Sequence, residues 1–224
     1  MKNMLRQLFQ VRAQPAAIFS ACGANRLEVD KWMASDTALR LQRIVGKRPY
    51  PLDELMLMTA VFCYIQPAVV IDIGTHVGKS ARVWWELSRL FGFRCDIHTI
   101  DLYDRSHAEY PGEMLGKMIK GLSVMQHRGD GLTIANDLLR KCAGTPCLLF
   151  LDGDHAFETV SKELGLAVQH SNVAGVLVHD TFYQPGSKYN HGPFEAVSAF
   201  VATTEVREVV HAHMGLPGMT FIRV

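Results

Sequence analysis

The chain has 224 residues, of which 48% are hydrophobic and 20% charged, and its formal net charge is +1. This composition is that of an ordinary globular protein and excludes extensive disorder. The near-neutral charge argues against a broad nucleic-acid-binding surface, which needs clustered Lys and Arg.

Five cysteines without a C-x-x-C pair predict a reducing, cytoplasmic compartment. The longest uncharged run, residues 55–71, is broken by Gln66-Pro67, so it predicts a buried helix and strand rather than a membrane insertion, which needs about 20 apolar residues.

The first 50 residues differ from the rest because they show weak helical patterns and no strand pattern. We expect an N-terminal helical extension over residues 1–50 and one main domain over residues 51–224. The extension would dock on the main domain or on a second subunit, so we also expect a homo-oligomer formed through these helices. A membrane-surface helix is the less favoured alternative, since the segment is short. The apolar residues of the first pattern are Met4, Leu5, Leu8, Phe9 and Val11.

From residue 53 onward, helical and strand patterns alternate along the chain. Strands are predicted at 68–73, 95–100, 124–128, 147–151 and 174–178, and helices at 55–65, 80–91, 112–122, 132–139, 157–168 and 194–201. This alternation predicts a mainly parallel sheet covered by helices on both faces. Residues 206–211 and 219–224 flank a Gly-Leu-Pro-Gly turn, which predicts an antiparallel C-terminal hairpin and brings the sheet to seven strands.

An acidic residue lies at or just after the end of each predicted parallel strand. In an open parallel sheet, ligands bind beyond the carboxyl ends of the strands. One such acid is usually a helix N-cap, but acids after all five strands indicate a functional rim. These acids are Asp72, Asp101, Asp130, Asp152 and Asp180.

The segment VVIDIGTHVGKS follows the pattern of a strand, a glycine turn and a helix start. A dinucleotide site would require G-x-G-x-x-G, and only Gly74 and Gly78 are present. A phosphate-binding P-loop is an alternative because Gly78-Lys79-Ser80 matches its end, which would make the protein a nucleotide hydrolase. However, the spacing from Gly74 is one residue short for that loop. A third alternative is S-adenosylmethionine, which has no phosphates, so that its loop needs fewer glycines.

Two motifs and their order resemble those of class I S-adenosylmethionine-dependent methyltransferases. They are Asp72-Ile73-Gly74-Thr75-His76-Val77-Gly78-Lys79-Ser80 and Leu151-Asp152-Gly153-Asp154-His155, and the similarity continues through IHTIDLYD, HRGDG and GVLVHDTF. The resemblance covers residues 55–182 and is closest to the group with the Asp-Gly-Asp-His motif. That group is similar to enzymes that methylate hydroxyls of sugars and other natural products. It implies a Rossmann-like, doubly wound α/β fold and a small-molecule hydroxyl substrate.

The resemblance also assigns cofactor contacts to residues of the rim. The glycine turn would lie under the methionine part of the cofactor, and Asp72 would hold its amino group. Asp101 would accept hydrogen bonds from both ribose hydroxyls, and Asp130 would lie near the adenine amine. The full set of implied cofactor-binding residues is Asp72, Gly74, Thr75, Gly78, Ser80, Asp101, Leu102, Asp130, Gly131 and Asp152.

The resemblance implies that the methyl-acceptor side of the rim contains the catalytic residues His155 and Asp152. His155 would be the general base. Asp152 and Asp180, together with His179 or Asp154, could hold a divalent cation; carboxylates suit Mg²⁺, whereas His179 would also suit a softer ion. The chain departs from the pattern of relatives at His179 and Thr181, which replace the acid or amide found beside the fifth-strand Asp.

Three interpretations of the acceptor side stay open. Asp154 is a helix N-cap or a catalytic acid. The connections 102–115 and 182–192 are candidate substrate lids. The protein could also keep the cofactor pocket without catalysing a reaction. The lid side chains that could contact an acceptor are Tyr103, Tyr183, Tyr189 and His191.

Overall fold

The computed structural model describes residues 27–102 and 114–224. The strands are β1 Val69–Ile73, β2 Asp96–Asp101, β3 Met125–Arg128, β4 Cys147–Leu151, β5 Val173–His179, β6 Glu208–Ala212 and β7 Met219–Arg223. The helices are α1 Lys31–Val45, α2 Leu52–Ile65, α3 Lys79–Phe91, α4 Gly131–Lys141, α5 Phe157–Gln169 and α6 His191–Thr203. A short 3₁₀ turn spans Lys117–Ile119.

The strands form one seven-stranded sheet in the order β3-β2-β1-β4-β5-β7-β6. β1 to β5 pair in parallel, whereas β7 pairs antiparallel with both β5 and β6. The predicted doubly wound sheet with a C-terminal hairpin is therefore confirmed. The strand order reverses between β1 and β4, and such a reversal opens a crevice at the carboxyl edge where ligands bind.

Two apolar cores lie on opposite faces of the sheet because alternate residues of each buried strand point to opposite sides. Val70 and Phe150 face the helices α1, α2 and α3, whose largest buried side chains there include Trp84. Ile71 and Leu149 face α4, α5 and α6. Truncating a buried aromatic ring such as Phe150 to Ala typically costs about 3–5 kcal/mol. The sheet at the base of the crevice is therefore held from both sides.

The described part of the N-terminal extension packs against the main domain. Helix α1 begins at the N-cap Asp30, whose carboxylate accepts hydrogen bonds from the backbone N–H groups of Trp32 and Met33. Its buried face, which includes Leu41 and Val45, joins the same core as α2. The predicted helix with Met4 to Val11 lies outside the described residues, and the boundary at residue 50 stays a prediction.

One local prediction was wrong. Only the 3₁₀ turn forms within the described part of the helix predicted at 112–122, because Gly116 and Gly121 have φ of +67° and +79°, in the left-handed region that interrupts a helix. The helix predicted at 157–168 forms as α5, and Phe157 and Val168 on it are exposed. They lie at or near the two ends of the helix, where the core no longer covers it.

Helices long and apolar enough to span a bilayer are missing from the described segments 27–102 and 114–224. The cysteines in those segments, Cys63, Cys95, Cys142 and Cys147, are free thiols.

Candidate active site

The glycine turn after β1 is built into the sheet edge beside the end of β4. Gly74 donates its N–H to the Ile100 carbonyl at 2.9 Å, and Asp152 donates its N–H to the Ile73 carbonyl at 2.9 Å. A Cβ on Gly74 would lie 2.2 Å from the Asp152 carbonyl oxygen, and its φ is +107°. Only glycine fits there, so this residue type lets the β1 turn and the Asp152 segment touch through their backbones.

Asp101 closes the turn from the other side, at the end of β2. Its Oδ2 accepts a hydrogen bond from the His76 N–H at 2.9 Å. The Asp101 carbonyl in turn accepts the Gly129 N–H at 2.9 Å, which holds the residue before Asp130 at the same edge. The structure therefore brings together the predicted rim of acids at the ends of β1, β2, β3 and β4.

Asp72 is an unsatisfied carboxylate in the centre of this rim. It is fully buried, and neither of its oxygens has a hydrogen-bond partner among the described residues. The Ser80 hydroxyl is near enough to act on the pKa of Asp72 without making a hydrogen bond of good geometry. Burial raises the pKa of Asp72 well above its usual value, Ser80 opposes the shift, and the charges of Asp152 and Asp101 add to it. A buried acceptor without partners is costly, and a bound ammonium group would satisfy it.

The remaining predicted cofactor residues differ in burial and in their contacts. The Thr75 hydroxyl is buried and hydrogen-bonded to the Thr99 hydroxyl at 2.7 Å, so it holds the turn to β2. Leu102 is 57% exposed just beyond β2. Gly131 starts α4, and a Cβ there would lie 2.6 Å from the Ile73 side chain. Gly78 has a φ of +87° at the N-cap of α3. Thr75 thus supports the turn, whereas Leu102 has a surface open to a ligand.

Asp130 caps a helix, whereas Asp154 bonds to the turn that leads into one. Asp130 is the N-cap of α4, and its Oδ2 accepts hydrogen bonds from the N–H and the hydroxyl of Thr133. Asp154 accepts hydrogen bonds from the His155 and Ala156 N–H groups and from the Thr159 hydroxyl before α5. The N-cap of α5 is Ala156, so the capping interpretation of Asp154 was wrong and its carboxylate instead holds the turn before the helix. The adenine contact of Asp130 stays a prediction.

His179, the last residue of β5, lies at the centre of a buried network of carboxylates. Its Nε2 is 2.9 Å from Glu54 Oε2, and its Nδ1 is 3.0 Å from Asp152 Oδ1 and 3.1 Å from Asp180 Oδ2. Burial alone would lower the pKa of His179, but the charge and hydrogen bond of Asp152 and the hydrogen bonds to Asp180 and Glu54 outweigh it and raise the pKa well above its usual value. Burial raises the pKa of Glu54, and His179 opposes that shift.

Two members of this network, Tyr50 and Glu54, were missed by the sequence analysis. The Tyr50 hydroxyl donates a hydrogen bond to Asp152 Oδ2 at 2.8 Å, and its ring lies edge-on to His179 at 5.0 Å between centroids. Tyr50 is buried, and burial together with the charges of Asp152 and Asp72 raises its pKa well above the usual value. Glu54 lies in the first turn of α2. Neither residue belongs to a strand-end motif, although the acids in the first turn of a largely apolar helix were a usable signal for Glu54.

His155 and Asp180 form a pair at the mouth of this network. His155 Nε2 lies 2.9 Å from Asp180 Oδ2, and the His155 ring packs against Tyr189 with centroids 4.0 Å apart. Asn190 donates from Nδ2 to Asp180 Oδ1 at 3.3 Å. Burial would raise the pKa of Asp180, but the hydrogen bonds from His155 and His179 outweigh it and lower the pKa below its usual range. Asp180 therefore stays ionised and orients the His155 ring.

One cluster within the described residues has the composition of a metal site. Asp152, His179 and Asp180 each offer a ligand atom within 4.8 Å of the others. These are three of the metal ligands expected from the sequence. Two carboxylates suit Mg²⁺, and the added imidazole also suits a divalent transition ion.

The P-loop alternative receives no support from the geometry of Lys79. Its ammonium group donates a hydrogen bond to the Arg48 carbonyl at 2.5 Å, which ties α3 to the segment before α2. A P-loop lysine would instead contact the phosphates held by its loop.

The described lid residues line the outer edge of the site. Tyr183 packs against Phe194 at 4.9 Å and against His191 at 6.1 Å between ring centroids. Tyr183 and Tyr189 are about half exposed. Tyr103 and most of the 102–115 connection lie outside the described residues.

Solved structures of methyltransferases share this fold. A candidate O-methyltransferase from Klebsiella pneumoniae matches with a TM-score of 0.57 at 14% identity, over 100% of this chain and 94% of that one. PaMTH1 of Podospora anserina, a methyltransferase solved with SAH, gives 0.56 at 15% identity over 84% and 87%. TomG of Streptomyces achromogenes, an O-methyltransferase of tomaymycin synthesis solved with SAM, gives 0.53 at 21% identity over 88% and 92%. At these identities the likeness defines the fold, which is that of a Rossmann-like class I methyltransferase.

A family model makes the assignment more specific. The model described as Rhamnosyl O-methyltransferase/CmcI matches residues 45–214, which is most of the chain. The chain therefore belongs to this family of S-adenosylmethionine-dependent methyltransferases. No curated protein matches it significantly.

Proposed function

We propose that this protein transfers the methyl group of S-adenosylmethionine to a hydroxyl of a small molecule, such as a sugar or another natural product. The observation that carries the proposal is the buried, unsatisfied Asp72 carboxylate beneath the Gly74 turn. It supplies a partner for the amino group of the cofactor at the crevice where the sheet order reverses.

The other cofactor contacts follow the rim outward from Asp72. Asp101 would accept hydrogen bonds from the ribose hydroxyls, since a carboxylate at a strand end can accept two. Leu102 would cover one face of the adenine, and the Asp130-Gly131 turn would lie at its edge. In this arrangement the sulfonium methyl group would point toward the network of Asp152, His155 and Asp180.

The methyl-transfer step needs a hydroxyl that loses its proton as the new bond forms. Asp180 holds the Nε2 atom of His155, which leaves Nδ1 as the nitrogen that accepts the hydroxyl proton. The oxygen forms a bond to the methyl carbon while the bond between that carbon and sulfur breaks. The electron pair of the broken bond stays on sulfur, so the sulfonium becomes a thioether. Much of the rate would come from holding the two reactants in line. A divalent cation held by Asp152, His179 and Asp180 would lower the pKa of the hydroxyl.

Calorimetric titration with S-adenosylmethionine, followed by an assay against glycosides and phenols, tests this proposal. We expect binding in the micromolar range that is lost in Asp101→Ala and kept in Asp96→Ala, because Asp96 lies at the opposite end of β2. Binding of ATP that depends on Lys79, with none of S-adenosylmethionine, would favour the nucleotide hydrolase instead. Cofactor binding without turnover on any acceptor would favour a non-catalytic binding protein.

We also propose a cytoplasmic homo-oligomer. The free thiols of the described segments support a reducing compartment. Trp32 and Leu39 lie seven residues apart on α1, so they share one face of the helix, and they are 85% and 45% exposed. An exposed apolar face of this kind supports an interface formed through the N-terminal helices.

A further inference from the structure

Glu54 is a buried carboxylate held in one orientation by two donors from different parts of the fold. It is 1% exposed in the first turn of α2. Its Oε1 accepts the Gly218 N–H at 2.8 Å, and its Oε2 lies 2.9 Å from His179 Nε2. A backbone N–H can only donate, so the Gly218 contact fixes one oxygen as an acceptor. The second oxygen is then aimed at the imidazole.

The orientation of Glu54 determines where the other nitrogen of His179 points. With Nε2–H donated to Glu54, Nδ1 is directed at Asp152 Oδ1 and Asp180 Oδ2, at 3.0 and 3.1 Å. The ring has little freedom to turn, because Tyr50 packs edge-on against it and its side chain is only 2% exposed. Glu54 and the packed ring together present Nδ1 toward the two aspartates.

These separations match those of a metal site. Adjacent ligands of an ion with bonds of about 2.1 Å at right angles lie about 3 Å apart. The Nδ1 atom has this distance to both carboxylates, and a carboxylate that accepts the second N–H of a metal-binding imidazole fixes the ring and raises its basicity. Resting on the proposed function, we propose that Glu54 is the positioning residue that aims His179 Nδ1 into a cation site shared with Asp152 and Asp180. One imidazole among the ligands gives this site a preference for Mn²⁺ or Zn²⁺ over Mg²⁺.

Titration calorimetry with Mn²⁺ and Mg²⁺ on the full chain tests the positioning role without an activity assay. The wild type should bind Mn²⁺ more tightly than Mg²⁺. Glu54→Gln should weaken Mn²⁺ binding by about 10–100-fold, as is typical when the partner of a ligating histidine is changed. The amide oxygen of Gln can serve only one of the two donors, Gly218 or His179. The matched control is Glu208→Gln, which removes a carboxylate that contacts α2 at its other end through Tyr64; its Mn²⁺ affinity should stay unchanged.

A second variant separates positioning from charge. Glu54→Asp keeps the negative charge but is one methylene too short to reach both donors, so we expect it to lose Mn²⁺ affinity as well. Wild-type affinity in Glu54→Asp, or in Glu54→Gln, would overturn the proposal. Thermal unfolding of each variant reports whether it is folded at the temperature of the titration.

Nitrogen NMR of the wild type, labelled at histidine and titrated with Zn²⁺, keeps the proposal testable if the variants do not fold. We expect the Nδ1 resonance of His179 to shift on Zn²⁺ binding while Nε2 keeps its proton. A shift of Nε2 instead, or no shift, contradicts it. The proposed function and this inference can fail independently. A wild type that binds no divalent cation but still transfers methyl groups would contradict this inference and leave the proposed function standing.

Discussion

The two halves of the crevice are built differently. Around β1 and β2, the glycine turn is held mainly by backbone hydrogen bonds, and Asp72 is left with no hydrogen-bond partner among the described residues. Around β4 and β5, side chains saturate one another, and Asp152 and Asp180 are both bonded to His179. The first half is suited to receive a ligand that brings its own donors, whereas the second half holds its groups in fixed orientations for chemistry.

The largest expected effect is a loss of methyl-transfer rate when His155 is replaced. It tests whether the two halves of the crevice have separate roles in chemistry and in cofactor binding. His155→Ala should lower the rate of methyl transfer by about 10²–10⁴-fold, the usual contribution of a general base. Its affinity for S-adenosylmethionine should stay near that of the wild type, because His155 belongs to the half away from Asp72. Steady-state kinetics with calorimetric titration of the cofactor measure both quantities.

The control for this variant is His170→Ala, since His170 lies at the opposite end of α5 and is bonded to Asn136. It should keep the rate of the wild type. A His155→Ala rate within a few-fold of the wild type would show that another group accepts the proton.

The next effect concerns Gly74, where the two halves touch. Gly74→Ala should lower the free energy of unfolding by about 3 kcal/mol, because its Cβ would overlap the Asp152 carbonyl and its φ lies in the glycine region. Urea unfolding measures the loss. Gly144→Ala is the matched control, since Gly144 has a φ of +80° with no atom within 4 Å of the added Cβ, so strain alone costs about 1 kcal/mol. Equal losses in the two variants would mean that the contact between the halves is not tight.

The smallest expected effect comes from Glu163, a buried carboxylate that is repelled by the charges of Asp154 and Asp130. Burial and these two charges raise its pKa from 4.5 to about 8. Because the folded-state pKa of Glu163 lies above its unfolded value, the contribution of this residue to the free energy of unfolding is fully present below pH 4.5. That contribution is lost as the pH rises to about 8. Glu163→Gln should remove this loss and stabilise the protein at pH 8 by on the order of 2–3 kcal/mol.

Urea unfolding at several pH values between 4.5 and 8 checks this prediction. The control is Glu158→Gln, an exposed position in the first turn of the same helix, which should leave the pH profile as it is. A Glu163→Gln profile that keeps the slope of the wild type would assign the pH dependence to another group.

The share of the site that could be predicted from the sequence differs between the two halves of the crevice. The strand-turn-acid segments around Asp72, Asp101 and Asp152 are local patterns, so their placement at one edge followed from the rule that parallel strands end together. The cluster of Asp152, His179 and Asp180 was instead implied by the resemblance to known methyltransferases. The helix predicted at 112–122 failed because apolar spacing outweighed Gly116 and Gly121, whose left-handed backbone breaks the pattern.

The sequence by itself determined the sheet, the hairpin and the acids at the strand ends, because each depends on residues close together in the chain. Only the tertiary structure decided which groups complete the site. Tyr50 reaches Asp152 across 102 residues and Glu54 reaches His179 across 125. Such contacts arise from packing α2 and the segment before it onto the sheet, and hydrophobic periodicity carries no information about which polar side chain that packing buries against which other.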